Sequence, residues 1–108
     1  MLLRTSVMII SMTTNLDKVK SLAKDLRRQD PSAPDQELAG FPLAARCLDK
    51  CRAELVGWQG EYKFNCPMDQ EFLGDAELNA GDFKSFVATG ATDEEVADWI
   101  KEHAQART

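Results

Sequence analysis

A chain of 108 residues with 44% hydrophobic content is long enough to bury one core and too short for two ordinary domains. Its 18 acidic side chains outnumber 13 basic ones, and the formal net charge of -5 argues against a surface built to neutralise phosphates, so no nucleic acid partner is expected. Three cysteines, an odd number, exclude a complete intrachain disulfide framework and fit reduced thiols in a cytoplasm.

The opening residues, MLLRTSVMIISM, place one Arg before an apolar run, as the first half of a signal peptide does. A long apolar region and a small-residue cleavage site are missing. The run over residues 7–12 is interrupted by Ser11 and falls far short of a membrane span, so no membrane partner is expected. Residues 1–14 read as a loosely ordered extension, with Met12 as an alternative start, and residues 15–106 as a single helical domain.

Thr14 with Asp17 three residues on forms a capping arrangement, and Leu16, Val19, Leu22, Ala23 and Leu26 recur at spacings of three and four. This predicts a helix over residues 15–29, with Lys24, Arg27 and Arg28 complementing the carbonyls of its last turns. Residues 30–42, DPSAPDQELAGFP, hold three prolines and a glycine and predict an ordered connection pinned by Leu38 and Phe41. A second helix is expected from Pro42 to just before Gly57, with Leu43, Ala44, Cys47, Leu48, Cys51 and Leu55 on one apolar face. Arg46, Asp49 and Arg52 then fall on another side, as a surface ion-pair row.

Residues 58–66 alternate strictly, with Trp58, Gly60, Tyr62, Phe64 and Cys66 on one side and Gln59, Glu61, Lys63 and Asn65 on the other. Period two predicts an extended segment with one buried face. Such a segment needs a ladder partner, which makes residues 7–12, residues 38–41 or a second copy of the chain the candidates, and homo-oligomerisation an expectation. Cys66 before Pro67, with Asp69 following, marks the start of a short helix to Leu73 that Gly74 stops. Asn79 caps a helix carrying Phe83, Phe86 and Val87 and ending at Gly90, and Thr92 with Glu95 forms a capping box before Val96, Trp99, Ile100, His103 and Ala104. The predicted fold is mainly α: a single-domain bundle of four to five helices with one short extended or β segment. Trp58, Tyr62, Phe83, Phe86 and Trp99 are expected to build its core.

Four blocks carry a family resemblance: KDLR at residues 24–27, LDKCRAEL at 48–55, GEYKFNCPMD at 60–69 and TDEEVADWI at 92–100. In these the chain resembles a bacterial family known as domain of unknown function 5069. The resemblance implies that the aromatic stretch and the run Asn65, Cys66, Pro67 are family features and that residues 1 to about 14 lie outside the pattern. It implies no activity, and Cys47 and Cys51 depart from it.

Cys66 is the candidate catalytic residue: a thiol at a helix N-terminus faces unpaired N–H groups that favour thiolate, although Asp69 opposes the shift. A nucleophilic cysteine also wants a base, and His103 is the one histidine in the chain. Cys47, Cys51, Cys66 and His103 are permitted zinc ligands in type, but Cys47 and Cys51 sit one helical turn apart on an apolar face and read as core, so no metal and no cofactor is expected. A binding site for a small polar ligand or a protein would draw on Asp49, Lys50, Arg52, Glu61, Tyr62, Asn65 and Asp69, if the second helix packs against the extended stretch; the same groups serve equally to lock that stretch to the helix. Residues 69–102 carry ten acidic side chains against two basic, whereas residues 1–68 carry eight against ten, a polarity that suits either a solvated face or the steering of a basic partner. The function expected from the sequence is therefore a binding or interaction module; the alternative is a thiol-dependent enzyme or redox protein using Cys66.

Overall fold

The helix over Ala44–Val56 is enclosed rather than laid on a surface: nine of its thirteen residues are buried, among them Asp49, Lys50 and Arg52. The structure, a computed structural model, describes residues 13–105. Among these residues five helices follow in chain order, α1 (Leu16–Leu22), α2 (Ala44–Val56), α3 (Pro67–Asp75), α4 (Ala80–Val87) and α5 (Asp93–Gln105). The fold is mainly α, as the sequence predicts, and the β structure among the described residues is one isolated bridge between Leu38 and Phe41.

The core forms where the apolar stripe of α2, with Ala44, Cys47, Leu48 and Cys51, meets Phe72 and Leu73 of α3, Phe83 and Val87 of α4, and Val96 and Ile100 of α5. Aromatic rings run through it in edge and stacked contacts. Phe41 meets Phe72 at 5.7 Å between ring centroids, Phe72 meets Phe83 at 6.1 Å, and Phe83 meets Trp99 at 6.0 Å. Such pairs add roughly 0.5–1.5 kcal/mol each beyond their buried area. Phe41 thereby pins the proline-rich connection, as expected, with Leu38 N–H and Phe41 N–H exchanging bonds with each other's carbonyls. Trp58 and Tyr62 stay outside this cluster. Trp58 lies under the cations of Lys20 and Arg27, and Tyr62 under Arg46.

Several elements differ from their sequence reading, each for a local reason. Helix α1 ends at Leu22 instead of Gln29, because Ala23 is extended and Leu26 N–H donates to the Trp58 carbonyl rather than back along a helix. Its cap is Asn15, not Thr14, through a bond from Lys18 N–H to the Asn15 Oδ1. Helix α2 begins at Ala44, after Leu43 in the left-handed region, so Pro42 precedes the helix. The predicted surface row of Arg46, Asp49 and Arg52 does not exist: Asp49 and Arg52 are buried, and each is paired with a different part of the chain. Helix α3 runs through Gly74 to Asp75.

The extended segment over residues 58–66 is a loop, not a strand. Gly60 and Asn65 take positive φ (58° and 65°), and Tyr62 N–H bonds back to the Gln59 carbonyl, which folds the chain into turns. Gly60 has a second reason to be glycine, since a Cβ there would stand 3.1 Å from the Leu26 carbonyl oxygen. Alternation survives only in exposure, with Tyr62, Phe64 and Cys66 half-buried and Lys63 and Asn65 exposed. Of the strand partners considered, residues 7–12 lie outside the described residues, as does most of the expected N-terminal extension, and residues 38–41 pair with themselves.

Candidate reactive-thiol site

Helix α3 starts at Pro67 because a first-turn proline gives up an N–H that has no intrahelical acceptor anyway. Before it, Cys66 stands in extended conformation at the N-cap, and Asn65 is left-handed, a region that asparagine enters more readily than most residues. The sulfur of Cys66 takes the place usually held by a serine or threonine oxygen in a capping box and accepts from the backbone N–H of Asp69. In return the Asp69 carboxylate accepts from the N–H of Asn65 at 2.8 Å and of Cys66 at 3.3 Å. Gln70 Nε2 donates to the Asn65 carbonyl at 3.2 Å and clamps the turn from the other side.

A third group arrives from α2. Lys50 Nζ lies 2.9 Å from Asp69 Oδ2 and donates to Cys66 Sγ at 3.0 Å. The Lys50 and Asp69 side chains are 3% and 1% exposed, while Cys66 remains partly open. Oδ1 of Asp69 is buried with no hydrogen-bond partner among the described residues. The result is a buried cation shared between a carboxylate and the sulfur of a half-buried cysteine.

Electrostatics follow the geometry. Burial pushes the Cys66 thiol up and the Asp69 charge pushes the same way, but the Lys50 ammonium and the N–H groups of Asp69 and Met68 outweigh them and hold it below its ordinary value. Burial pulls Lys50 down, yet its bonds to Cys66 and Asp69 leave it above its ordinary value. The other two cysteines are fully buried. Burial first, then the Asp69 charge, raises Cys47 far above the usual thiol range; burial first also raises Cys51. Of the three cysteines, Cys66 alone is held below its ordinary value and alone is not fully buried.

Of the sequence-predicted binding residues, the structure brings Lys50, Asn65 and Asp69 together around Cys66. The rest are placed elsewhere. Asp49 accepts from the N–H and the hydroxyl of Ser32 at 2.7 and 2.6 Å and pairs with Lys24 at 3.1 Å, tying the proline-rich connection to α2. Arg52 bonds Asp93 at 2.6 Å and the Ala91 carbonyl at 2.9 Å, tying α2 to the α4–α5 turn. Tyr62 donates its hydroxyl to Asp30 at 2.8 Å, and Glu61 is exposed. His103, considered as the base for Cys66, instead stacks on Trp99 with Nδ1 2.8 Å from the Trp99 carbonyl oxygen. The sulfur's charged partner is Lys50, which the sequence groups only with the binding candidates. Its position three residues after Cys47, beside the apolar stripe, is the one signal that pointed inward.

No three His, Cys, Asp or Glu side chains among the described residues are grouped to hold a metal ion. Three surface depressions of about 440, 360 and 150 Å³ are lined by other residues, and Cys66 lines none of them.

Fold and site together define a small helical protein with a lysine-paired cysteine capping an internal helix. The chain belongs to the family described as domain of unknown function DUF5069, which matches residues 28–108. Three of the four resemblance blocks fall inside that range, and KDLR at residues 24–27 precedes it. No curated protein matches the chain. Among the described residues, no helix is long and apolar enough to cross a membrane.

Proposed function

We propose that the protein works through Cys66 as a reactive thiolate, making it a thiol-dependent enzyme or redox protein rather than a passive binding module. The supporting observation is Lys50, buried at 3% exposure with its ammonium 3.0 Å from the sulfur. A cation in that place favours thiolate over thiol, and thiolate is the form that attacks electrophiles. Asp49, Arg52 and Tyr62 stand in separate tertiary ties, which supports Cys66 over a ligand site drawn on those residues. A reducing compartment such as a bacterial cytoplasm is the setting in which this thiol would stay free.

Alkylation of Cys66 by iodoacetamide as a function of pH, read by peptide mapping, tests the reading. The rate should inflect at lower pH in the native protein than for the same cysteine in the chain unfolded in guanidinium chloride. An inflection at or above the unfolded one removes the reading.

A further inference from the structure

We propose that the C-terminal end of α3 and the depression beside it form a docking surface for a basic protein segment that seats one apolar side chain there. The depression, of about 360 Å³, has a wall of Ala39, Phe41, Ala76 and Ala104 and a rim of Asp75, Glu77 and Lys101. Its wall is continuous with the core: Ala76 is 3% exposed, and the other three are half-buried against the same apolar cluster. A recess with that lining suits a single anchor such as leucine or methionine, the kind of contact that carries most of the energy of a small interface.

Charge selects the partner. The carbonyls at the end of a helix carry partial negative charge, which a lysine or arginine in the last turn ordinarily offsets. The last turn of α3 has no basic residue; it ends on the exposed carboxylate of Asp75, and exposed Glu77 follows. The turn closes with Leu78 N–H donating to the Leu73 carbonyl at 2.8 Å and Glu77 N–H to the Gly74 carbonyl at 3.1 Å. Glu77 is thereby left-handed, with φ 55°, at the position that helix ends usually give to glycine. A glutamate holds that conformation less easily than glycine would, and what it adds is a second carboxylate on the rim.

Negative charge continues beyond the rim. Exposed Asp98 and Glu102 lie within one turn of Lys101 on α5, and residues 69–102 as a whole carry ten acidic side chains against two basic. A small amine would meet one or two of these groups, whereas a protein segment with cations on both sides of its anchor meets the rim and the α5 acids together. Cys66 caps the opposite end of α3, so this surface is independent of the thiolate reading.

The probe is a synthetic peptide of lysines with one central leucine, titrated into the isotope-labelled full chain at low salt and followed by amide chemical shifts. We expect saturable shifts gathered on the amides that line the depression, with Kd rising about tenfold when the leucine is replaced by alanine and by a similar factor in Asp75→Lys. Lys101→Glu, which removes the rim's cation, should lower Kd several-fold; both positions are exposed, so the fold is kept. Glu77→Gly, which suits the left-handed turn, should weaken binding by a smaller factor. No saturable shift, shifts scattered over the whole acidic half, or equal binding of the alanine peptide overturns the proposal, as does unchanged binding in Asp75→Lys. Self-association of the free chain that Asp75→Lys abolishes would put a second copy on this surface and overturn it as well.

Discussion

Lys50 and Arg52 stand two residues apart on the same enclosed helix, and both are buried, yet they make different kinds of contact. Lys50 is compensated entirely from within, by an Asp69 carboxylate that is 1% exposed and by the Cys66 sulfur. Arg52 reaches outward: its partner Asp93 is 70% exposed, and its second bond goes to a backbone carbonyl. The first arrangement keeps two charges away from water and leaves one edge on a half-open thiol. The second ends in solvent and fastens the α4–α5 turn to α2. Buried charge in this protein therefore has two uses, and only the inward one places a cation where it can change the chemistry of a nucleophile.

Removing Lys50 should do the most damage. In Lys50→Met, the Asp69 carboxylate stays in the core without its cation, and stranding one half of a buried pair costs about 3–5 kcal/mol. That is a large share of the roughly 5–15 kcal/mol by which a domain of this kind is stable, so the denaturation midpoint should fall steeply. A loss below about 1 kcal/mol in a denaturant melt would mean that water reaches Asp69 and that the pair is not closed.

Arg52→Ala should cost less, about 2–3 kcal/mol, because the carboxylate it abandons is already solvated and the main penalty is the buried Ala91 carbonyl left without its donor. Measured on the same melt, a cost equal to that of Lys50→Met would erase the contrast between the two cations. A cost near zero would mean that the turn is held by packing alone.

The sequence discloses this contrast only in part, and the reason is range. Caps depend on residues three apart, so the Thr92 and Glu95 box and the Asn79 cap are readable directly and appear in the structure with reciprocal or single bonds of 2.9–3.2 Å. The start of α3 at Cys66, Pro67 and Asp69 is readable for the same reason. Burial of Asp49, Lys50 and Arg52 is not readable, because it depends on how many neighbours surround α2. A helix with one apolar face is expected to show its other faces to water, and here α1, the proline-rich connection, α3 and the α4–α5 turn cover those faces as well. The loop over residues 58–66 misleads in the opposite way. Its period-two pattern is real, but two positive-φ residues and a bond from Leu26 to Trp58 fold it before any ladder can form. The pairing of Lys50 with Cys66, sixteen residues apart, needed the packing of α2 on α3 to be known.

Cys66→Ser is the gentlest change and the one that separates the site's chemistry from its architecture. Serine is a preferred N-cap, so its hydroxyl can accept from Asp69 N–H in the same capping box, and the stability change at pH 7 should stay within about 1 kcal/mol. Alkylation at position 66 should vanish, while Cys47 and Cys51 remain buried. The pH dependence carries the sign of the charge. Because Cys66 sits below its ordinary value in the folded chain, its thiolate contributes stability that is fully present above the unfolded thiol's pKa, about 8.5, and is lost as pH falls through the lower folded value. Wild type should therefore gain on Cys66→Ser as pH rises from acidic to about 8.5, and the two stability curves should then run parallel until Lys50 begins to lose its proton. Parallel curves over the whole range would show a sulfur that caps the helix as a neutral thiol, which is the one way in which the architecture described here could stand without its chemistry.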